Sequence, residues 1–375
     1  MHTALHDVRE RTRYTVGKAL IAATVLSLVL AGCGSDNNIG APATSSAAID
    51  CGGKDALTGE GSTAQQNAIA LFNQAWTRFC PRKNVSYNPT GSGAGREQFV
   101  AGHVDFAGSD SPLTAQQTEP ATKRCNGNPA WHLPLVFGPV AVAYHLDGVN
   151  PLVVNADVLA KIFTGAITNW RDPAIAALNR GVTLPDTDIA PIYRSDSSGT
   201  TDNFQKYLAA AAPQSWTKGA GSEFQGGVGE GVQKSAGVVQ AVQSTPGAIS
   251  YVEKGFADQA SLTYAQIDDG GGAVAISDDA ARNAIDDAKF AGAGNDLRLD
   301  LNSLYGTKAP GAYPLVLVTY EIVCSKGYDP GVSTALKSFL TAAADYGQNG
   351  LSPAGYIPLP DRFKQRLVAA IGAIQ

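Results

Sequence analysis

Residues 85–113 read VSYNPTGSGAGREQFVAGHVDFAGSDSPL. Val85-Ser86-Tyr87 has the pattern of a short strand. The run Gly91-Ser92-Gly93-Ala94-Gly95 then allows a tight turn, and residues 96–101 take on a helical look. Val104-Asp105-Phe106-Ala107 is strand-like again and leads into Gly108-Ser109-Asp110. Strand, glycine turn, helix and strand in close succession is the repeating unit of an α/β fold.

The same alternation runs outward in both directions. Upstream, Ala68, Leu71, Phe72, Ala75, Trp76 and Phe79 recur at helical spacing, with Ser62 or Thr63 as the expected N-cap. Downstream, residues 133–146 are mostly apolar with two prolines and read as a buried strand or a crossover between lobes. Helices are expected at 157–164, 173–178 and 201–212, and again at 332–346 and 361–374. Strands are expected at 189–193, leading to Arg194, and at 248–252 and 314–323. A glycine-rich loop is expected at 226–231. No internal repeat is evident.

Composition narrows the function classes. Of 375 residues, 44% are hydrophobic and 16% charged, which supports a packed core rather than disorder. A formal net charge of -5 argues against a nucleic-acid partner or a polybasic membrane patch. It leaves room for an anion site, because backbone N–H groups bind anions whatever the overall charge.

The N-terminus has the layout of an export signal. Arg9, Arg11, Arg13 and Lys18 precede the apolar run of residues 19–30. That run is shorter than the roughly 20 residues of a spanning helix. It ends in Leu30-Ala31-Gly32-Cys33, the pattern of a bacterial lipobox. The expectation is a signal peptide over 1–32, a lipidated Cys33, and a flexible tether over 33–50 rich in Gly, Ser, Ala, Asn and Pro. Cys51, Cys80, Cys125 and Cys324 remain, and an even number in an exported chain suggests two disulfides, with three connectivities open. A Cys125–Cys324 bridge would close the longer loop and stabilise more. Zinc ligation or four buried thiols are the alternatives; no C-x-x-C pair supports zinc.

Three turns rich in glycine and hydroxyl residues open helices: Gly61-Ser62-Thr63, Gly91-Ser92-Gly93, and Ser197-Ser198-Gly199-Thr200. Each combines free N–H groups of a helix N-terminus with a Ser or Thr hydroxyl. Glycine permits close backbone approach to a ligand. Any one such turn serves equally well as an ordinary helix cap. Three together, with Arg194 four residues before Ser198, suggest a site for a tetrahedral oxyanion. Asp196 is the natural salt-bridge partner of Arg194.

Catalytic readings find less support. Thr90 stands where the first glycine of a G-x-S-x-G elbow around Ser92 belongs, and His103, His132 and His145 have no distinctive context. No phosphate-cradling G-x-x-x-x-G-K-[ST] loop is present, and no cofactor is implied.

The stretches LTGEGSTAQ (57–65), 87–113, FTGAITNWRDPAIAALN (163–179), IYRSDSSGTTDNFQKYL (192–208) and TPGAISYVE (245–253) together resemble the PstS-type phosphate-binding proteins of the phosphate-specific ABC transporter. The lipobox and four further cysteines resemble the lipoprotein branch of that family. The resemblance implies an α/β, two-lobed periplasmic-binding-protein (class II) architecture with two interlobe crossovers. Lobe I would take residues 51–135 and 313–375, and lobe II residues 136–312. It implies high-affinity capture of inorganic phosphate and delivery to an ABC permease, by a protein that is not an enzyme and is lipid-anchored outside the cytoplasmic membrane. The implied ligand set is Thr63, the amide of Ala64, Ser92, Asp110, Arg194, Ser198, Gly199 and Thr200. The residue after Thr63 is often aromatic in that family and is alanine here, which leaves the amide donor in place. Asp110 would accept the proton that phosphate carries and sulfate lacks, leaving sulfate against an unpaired like charge. Another oxyanion, a phosphate ester, or an exported hydrolase or adhesion protein on the same lobes are the alternatives.

Overall fold

Two long strands with apolar residues on both faces organise the molecule. In the computed structural model, which describes residues 49–286 and 288–375, they are β4 (Ala130–Tyr144) and β13 (Val316–Cys324). Nearly every residue of both is buried, as expected for strands covered on each face by helices. The remaining strands are β1 (Ala56–Gly61), β2 (Asn84–Pro89), β3 (Phe106–Ser109), β5 (Val153–Val154), β6 (Ala190–Arg194), β7 (Glu230–Val232), β8 (Ala248–Glu253), β9 (Thr263–Tyr264), β10 (Gln266–Ile267), β11 (Lys289–Phe290) and β12 (Leu299–Asp300).

One nine-stranded sheet runs β2-β1-β3-β13-β4-β8-β6-β7, with β9 also on β4. Two small sheets, β10-β5 and β11-β12, stand apart. The main sheet has two halves that share β4. Residues 130–139 of β4 pair antiparallel with β13, and residues 140–144 pair antiparallel with β8. β13 carries the chain back, with β3 on its other side. Two chain segments therefore cross between the halves. Both halves are parallel away from these crossovers: β1 with β2 and β3, and β6 with β7 and β8.

The prolines of β4 sit where the ladder is already interrupted. Pro134 lies opposite Tyr320, beside a register shift in β13. Pro139 is the last residue of β4 paired with β13, immediately before the exchange of partners. A residue with no N–H is tolerated at such breaks and not in an unbroken central strand.

The expected helices form within a few residues of their bounds, whereas Ala115–Arg124, Lys234–Ser244, Lys254–Gln259, Asp278–Ile285 and Asn302–Tyr305 are helices that the sequence reading did not place. The helix Gln66–Phe79 buries Ala68, Ile69, Phe72, Ala75 and Trp76, but Gln65 precedes it without a side-chain cap, so neither Ser62 nor Thr63 is its N-cap. The Ser62 hydroxyl instead accepts from the amide of Ala64 and donates to Asp110. Phe79, expected on the buried stripe, is 44% exposed against Tyr346. The expected glycine loop at 226–231 ends in the short strand β7.

Two disulfides cross-link the first half, Cys51–Cys80 and Cys125–Cys324. This fixes one of the three connectivities and leaves no thiol of the four for zinc. Among the described residues no helix is long and apolar enough to cross a membrane. The expected signal peptide, Cys33 and the tether up to residue 48 lie outside the described residues.

Candidate functional site

The parallel strands deliver the site. In open α/β sheets, loops at the carboxyl ends of strands form the binding crevice. Here β1 leads to Ser62, Thr63 and Ala64, β2 to Gly91 and Ser92, and β3 to Asp110. From the other half, β6 ends at Arg194 and leads to Ser198, Gly199 and Thr200, β7 leads to Ser235, and β8 ends at Glu253. All are buried.

The structure brings the three hydroxyl-rich turns together. Gly199 packs so closely that a Cβ there would lie 2.4 Å from Ser92 Oγ and 2.6 Å from Asp110 Oδ2. Only glycine fits this approach. Gly91, at φ 107°, turns the chain into the helix Ser92–Val100, and the Gly93 amide donates to the carbonyl of Ser197 at 3.0 Å. Thr63 Oγ1 and Ser235 Oγ are 2.8 Å apart, joining the first turn to the other half. Asn203 Nδ2 donates to the carbonyls of Asp110 and Gly199, each at 2.8 Å.

Asp110 is held by hydroxyls alone. Ser62 Oγ donates to both its oxygens at 2.7 and 2.8 Å, Thr319 Oγ1 to Oδ1 at 2.6 Å, and Ser92 Oγ to Oδ2 at 3.0 Å. Burial pushes its pKa up to about 6 against the lowering effect of these bonds, and the charge of Glu253 adds to the rise. In its ionised form it is an acceptor-only group.

Arg194 has the opposite setting. Its Nε and Nη2 form a bidentate pair with Asp196, and Nη1 reaches Ser235 Oγ at 3.4 Å. Burial works against the guanidinium, but Asp196 outweighs it and the pKa lies above the ordinary arginine value. Burial likewise opposes the Asp196 charge, and Arg194 overrides it to hold that carboxyl below its usual range. Pairing on one edge leaves the Nη1 side for an anion.

The remaining members of the expected set have partners within the protein. Ser198 Oγ accepts from the Thr201 amide at 3.2 Å as the N-cap of the helix Gly199–Ala211. The Ala64 amide donates to Ser62 Oγ at 3.0 Å. Thr200 Oγ1 donates to Glu253 Oε1. Ser92 Oγ bonds the carboxylate and amide of Asp110, whereas His132 bonds Asp296, His145 bonds a backbone carbonyl and His103 bonds Gln98. Ser92 thus sits beside a carboxylate and not beside an imidazole base.

Sequence reading passed over Thr319, Ser235, Asn203 and Glu253. Thr319 had a signal: with Glu321 it breaks the otherwise apolar run VLVTYEIVC. Ser235 also had one, as a hydroxyl opening a helix just after the glycine run at 226–231. Asn203 and Glu253 had none, since their roles depend on which strands become neighbours.

Comparison with known proteins identifies the family. The PBP superfamily domain model matches residues 41–344. Phosphate-binding protein PstS 3 of Mycobacterium tuberculosis is 50% identical over 354 residues, covering 93% of this chain and 95% of that protein. PstS 3 of Mycobacterium leprae is 47% identical over 362 residues, covering 95% and 98%. Among solved structures, a phosphate-binding protein from Stenotrophomonas maltophilia superposes with TM-score 0.64 at 19% identity, covering 84% of this chain and 94% of that one. A substrate-binding protein with bound phosphate from Clostridium perfringens gives TM-score 0.58 at 17% identity, covering 81% and 100%. These structures share the fold, which is the two-lobed periplasmic-binding-protein architecture. The chain belongs to the PBP superfamily and, within it, to the family of PstS phosphate-binding proteins.

Proposed function

We propose that this chain captures inorganic phosphate between its two lobes and delivers it to an ABC permease, without covalent chemistry. The observation that carries this reading is the packing of Gly199 against Asp110 and Ser92 across the two halves of the sheet, with Arg194 joined to Thr63 through Ser235. The relatives' names point the same way. The ligand set is Thr63, the Ala64 amide, Ser92, Asp110, Arg194, Ser198, Gly199 and Thr200. The Ser92 and Thr200 hydroxyls donate to carboxylates within the protein, and rotation about their C–O bonds turns them to a guest. When Ser92 Oγ turns from Asp110 Oδ2 to a ligand oxygen, it frees that carboxylate oxygen for the proton of phosphate. Sulfate carries no proton and would face Asp110 as an unpaired like charge.

Lobe I is assigned residues 51–135 and 313–375, and lobe II residues 136–312, with residues 136–139 of β4 in the first crossover. Lobe closure is a hinge motion at the β4 and β13 crossovers, and it strengthens each hydrogen bond by excluding water. Export and lipidation at Cys33 would hold the protein outside the cytoplasmic membrane, next to its permease.

Calorimetric titration of the protein with phosphate and then with sulfate tests this reading. Tight binding of phosphate with sulfate excluded is expected. Preference for sulfate, or heat from neither anion, overturns it.

A further inference from the structure

Among the described residues, the large apolar side chain most open to solvent is Phe79, 44% exposed at the end of the helix Gln66–Phe79. It does not stand alone. Its ring lies 4.4 Å from that of the half-buried Tyr346, and Pro81 is exposed beyond it. Two exposed arginines flank it in sequence, Arg78 and Arg82. Arg78 suits a helix C-terminus, where a cation meets the dipole, but Arg82 lies past the helix end. The acids of this corner have partners: Asp55 pairs with Lys83 at 2.9 Å, Asp345 pairs with Lys364 at 3.2 Å, and Asp50 accepts the Gly52 amide. Neither Arg78 nor Arg82 has a carboxylate at ion-pair distance among the described residues. Aromatic rings bordered by arginines settle at a lipid–water boundary, with the rings at the top of the acyl chains and the guanidinium groups among the headgroups.

The course of the chain says what lies opposite this corner. The disulfide Cys51–Cys80 holds its two Cα atoms 5.3 Å apart, so the chain enters the fold beside the residue that follows Phe79. Ahead of Cys51 come the expected tether over 33–50 and Cys33, the expected site of lipidation. A flexible coil of that length spans about 25 Å. A folded chain of this size is roughly 50 Å across. The tether therefore keeps the Phe79 corner nearer the bilayer than the rest of the molecule, and it raises the local concentration for a contact too weak to form from solution. That proximity is needed, because two arginines are not a polybasic patch and the net charge is -5.

Resting on the reading that Cys33 carries lipid, we propose that Phe79, Tyr346, Arg78 and Arg82 form a contact with the anionic lipid surface that holds the anchor. The rings enter the headgroup boundary and the arginines meet lipid phosphates. The helix runs from Gln66, just after Thr63 and Ala64, to Phe79, so the contact lies about 20 Å from the proposed ligand set and covers none of it.

The test uses the full-length, host-processed lipoprotein reconstituted in vesicles of phosphatidylglycerol and brominated phosphatidylcholine, with Phe79→Trp as reporter. Val182→Trp, at a position 36% exposed and outside the expected first lobe, is the control. Bromine quenches an indole that touches the acyl chains. Relative to unbrominated vesicles, the added fluorescence of Phe79→Trp is expected to fall by about half, and that of Val182→Trp to stay unchanged. Adding Arg78→Gln and Arg82→Gln, or raising the salt concentration, is expected to weaken the quenching. Equal quenching of both reporters, or of neither, in protein that stays with the vesicles overturns the contact and leaves the lipid anchor standing. Protein that does not stay with the vesicles overturns both. Should Phe79→Trp fail to fold, a lipid-borne carbene decides in the wild type: adducts on residues 78–82 support the contact, and their absence overturns it. In intact cells, crosslinks from this corner to a permease subunit or to a second copy of the chain, with none to lipid, also overturn it.

Discussion

The two sides of the site hold an aspartate in opposite ways. Asp110, from the first half of the sheet, is surrounded by the hydroxyls of Ser62, Ser92 and Thr319, and burial pushes its pKa up to about 6. Asp196, from the second half, meets a guanidinium edge to edge and is driven below the usual range despite burial. Neutral donors satisfy a carboxylate without cancelling its charge, and a cation does both. The first side is therefore built to accept a proton-bearing group, and the second to present positive charge. The halves also differ covalently, since both disulfides lie in the first.

The largest expected effect comes from Arg194→Ala. It removes the site's paired cation and leaves Asp196 buried without its partner, so phosphate affinity should fall by about 100-fold or more, about 3 kcal/mol. Calorimetry checks this, and a smaller loss than Ser92→Ala gives would break the contrast between the two sides.

Next is the covalent asymmetry. Replacing Cys125 and Cys324 with serine should cost about 3 kcal/mol in denaturant unfolding, and replacing Cys51 and Cys80 should cost less. The reason is the length of chain each bridge encloses, with sequence separations of 199 and 29. Equal losses would show that native-state contacts, and not loop closure, set the value.

Asp110→Asn should narrow the preference for phosphate over sulfate by about 2 kcal/mol, because an amide can donate to either anion. The ratio of the two affinities is the measurement; an unchanged ratio would move the discriminating role off Asp110.

The smallest effect per pH unit concerns Glu321, on β13 behind Asp110. Burial pushes its pKa up to about 8 from an ordinary value of 4.5, the bond from Gln65 opposes this, and the Asp110 charge adds to it. The folded state keeps a proton that the unfolded state has lost, so stability falls as pH climbs between those two values. Glu321→Gln should flatten this fall by about 1 kcal/mol per pH unit. Melting temperature against pH reads it, and a variant curve parallel to wild type would mean that Glu321 ionises freely.

Much of the fold was legible because its signals are local. The helix Pro173–Leu178 matches its expected bounds, and its Asp172 cap and N-terminal proline are both written in neighbouring residues. Ser198 caps its helix as the Ser-Ser-Gly-Thr turn suggested. The first turn misled for the complementary reason: Ser62 had the spacing of a cap, but Asp110, 48 residues away, takes its hydroxyl. Phe79 fits the helical stripe, yet it lies at the helix end, where the core no longer covers it. Thr319 and Glu321 stood out as polar breaks in an apolar strand, and only the register of β13 against β3 gives them a purpose.

The sequence by itself determined the alternation of strands and helices, the glycine turns that let backbone come close, and the kinds of donor available to an oxyanion. These depend on residues a few positions apart, where backbone sterics and side-chain reach decide the outcome. Only the tertiary structure decided which cysteines pair, that Ser235 joins Thr63 and Arg194, and that Glu253 takes the Thr200 hydroxyl. Those facts arise from strands brought side by side across long stretches of chain, and a carboxylate's role is fixed by the neighbours that such packing gives it.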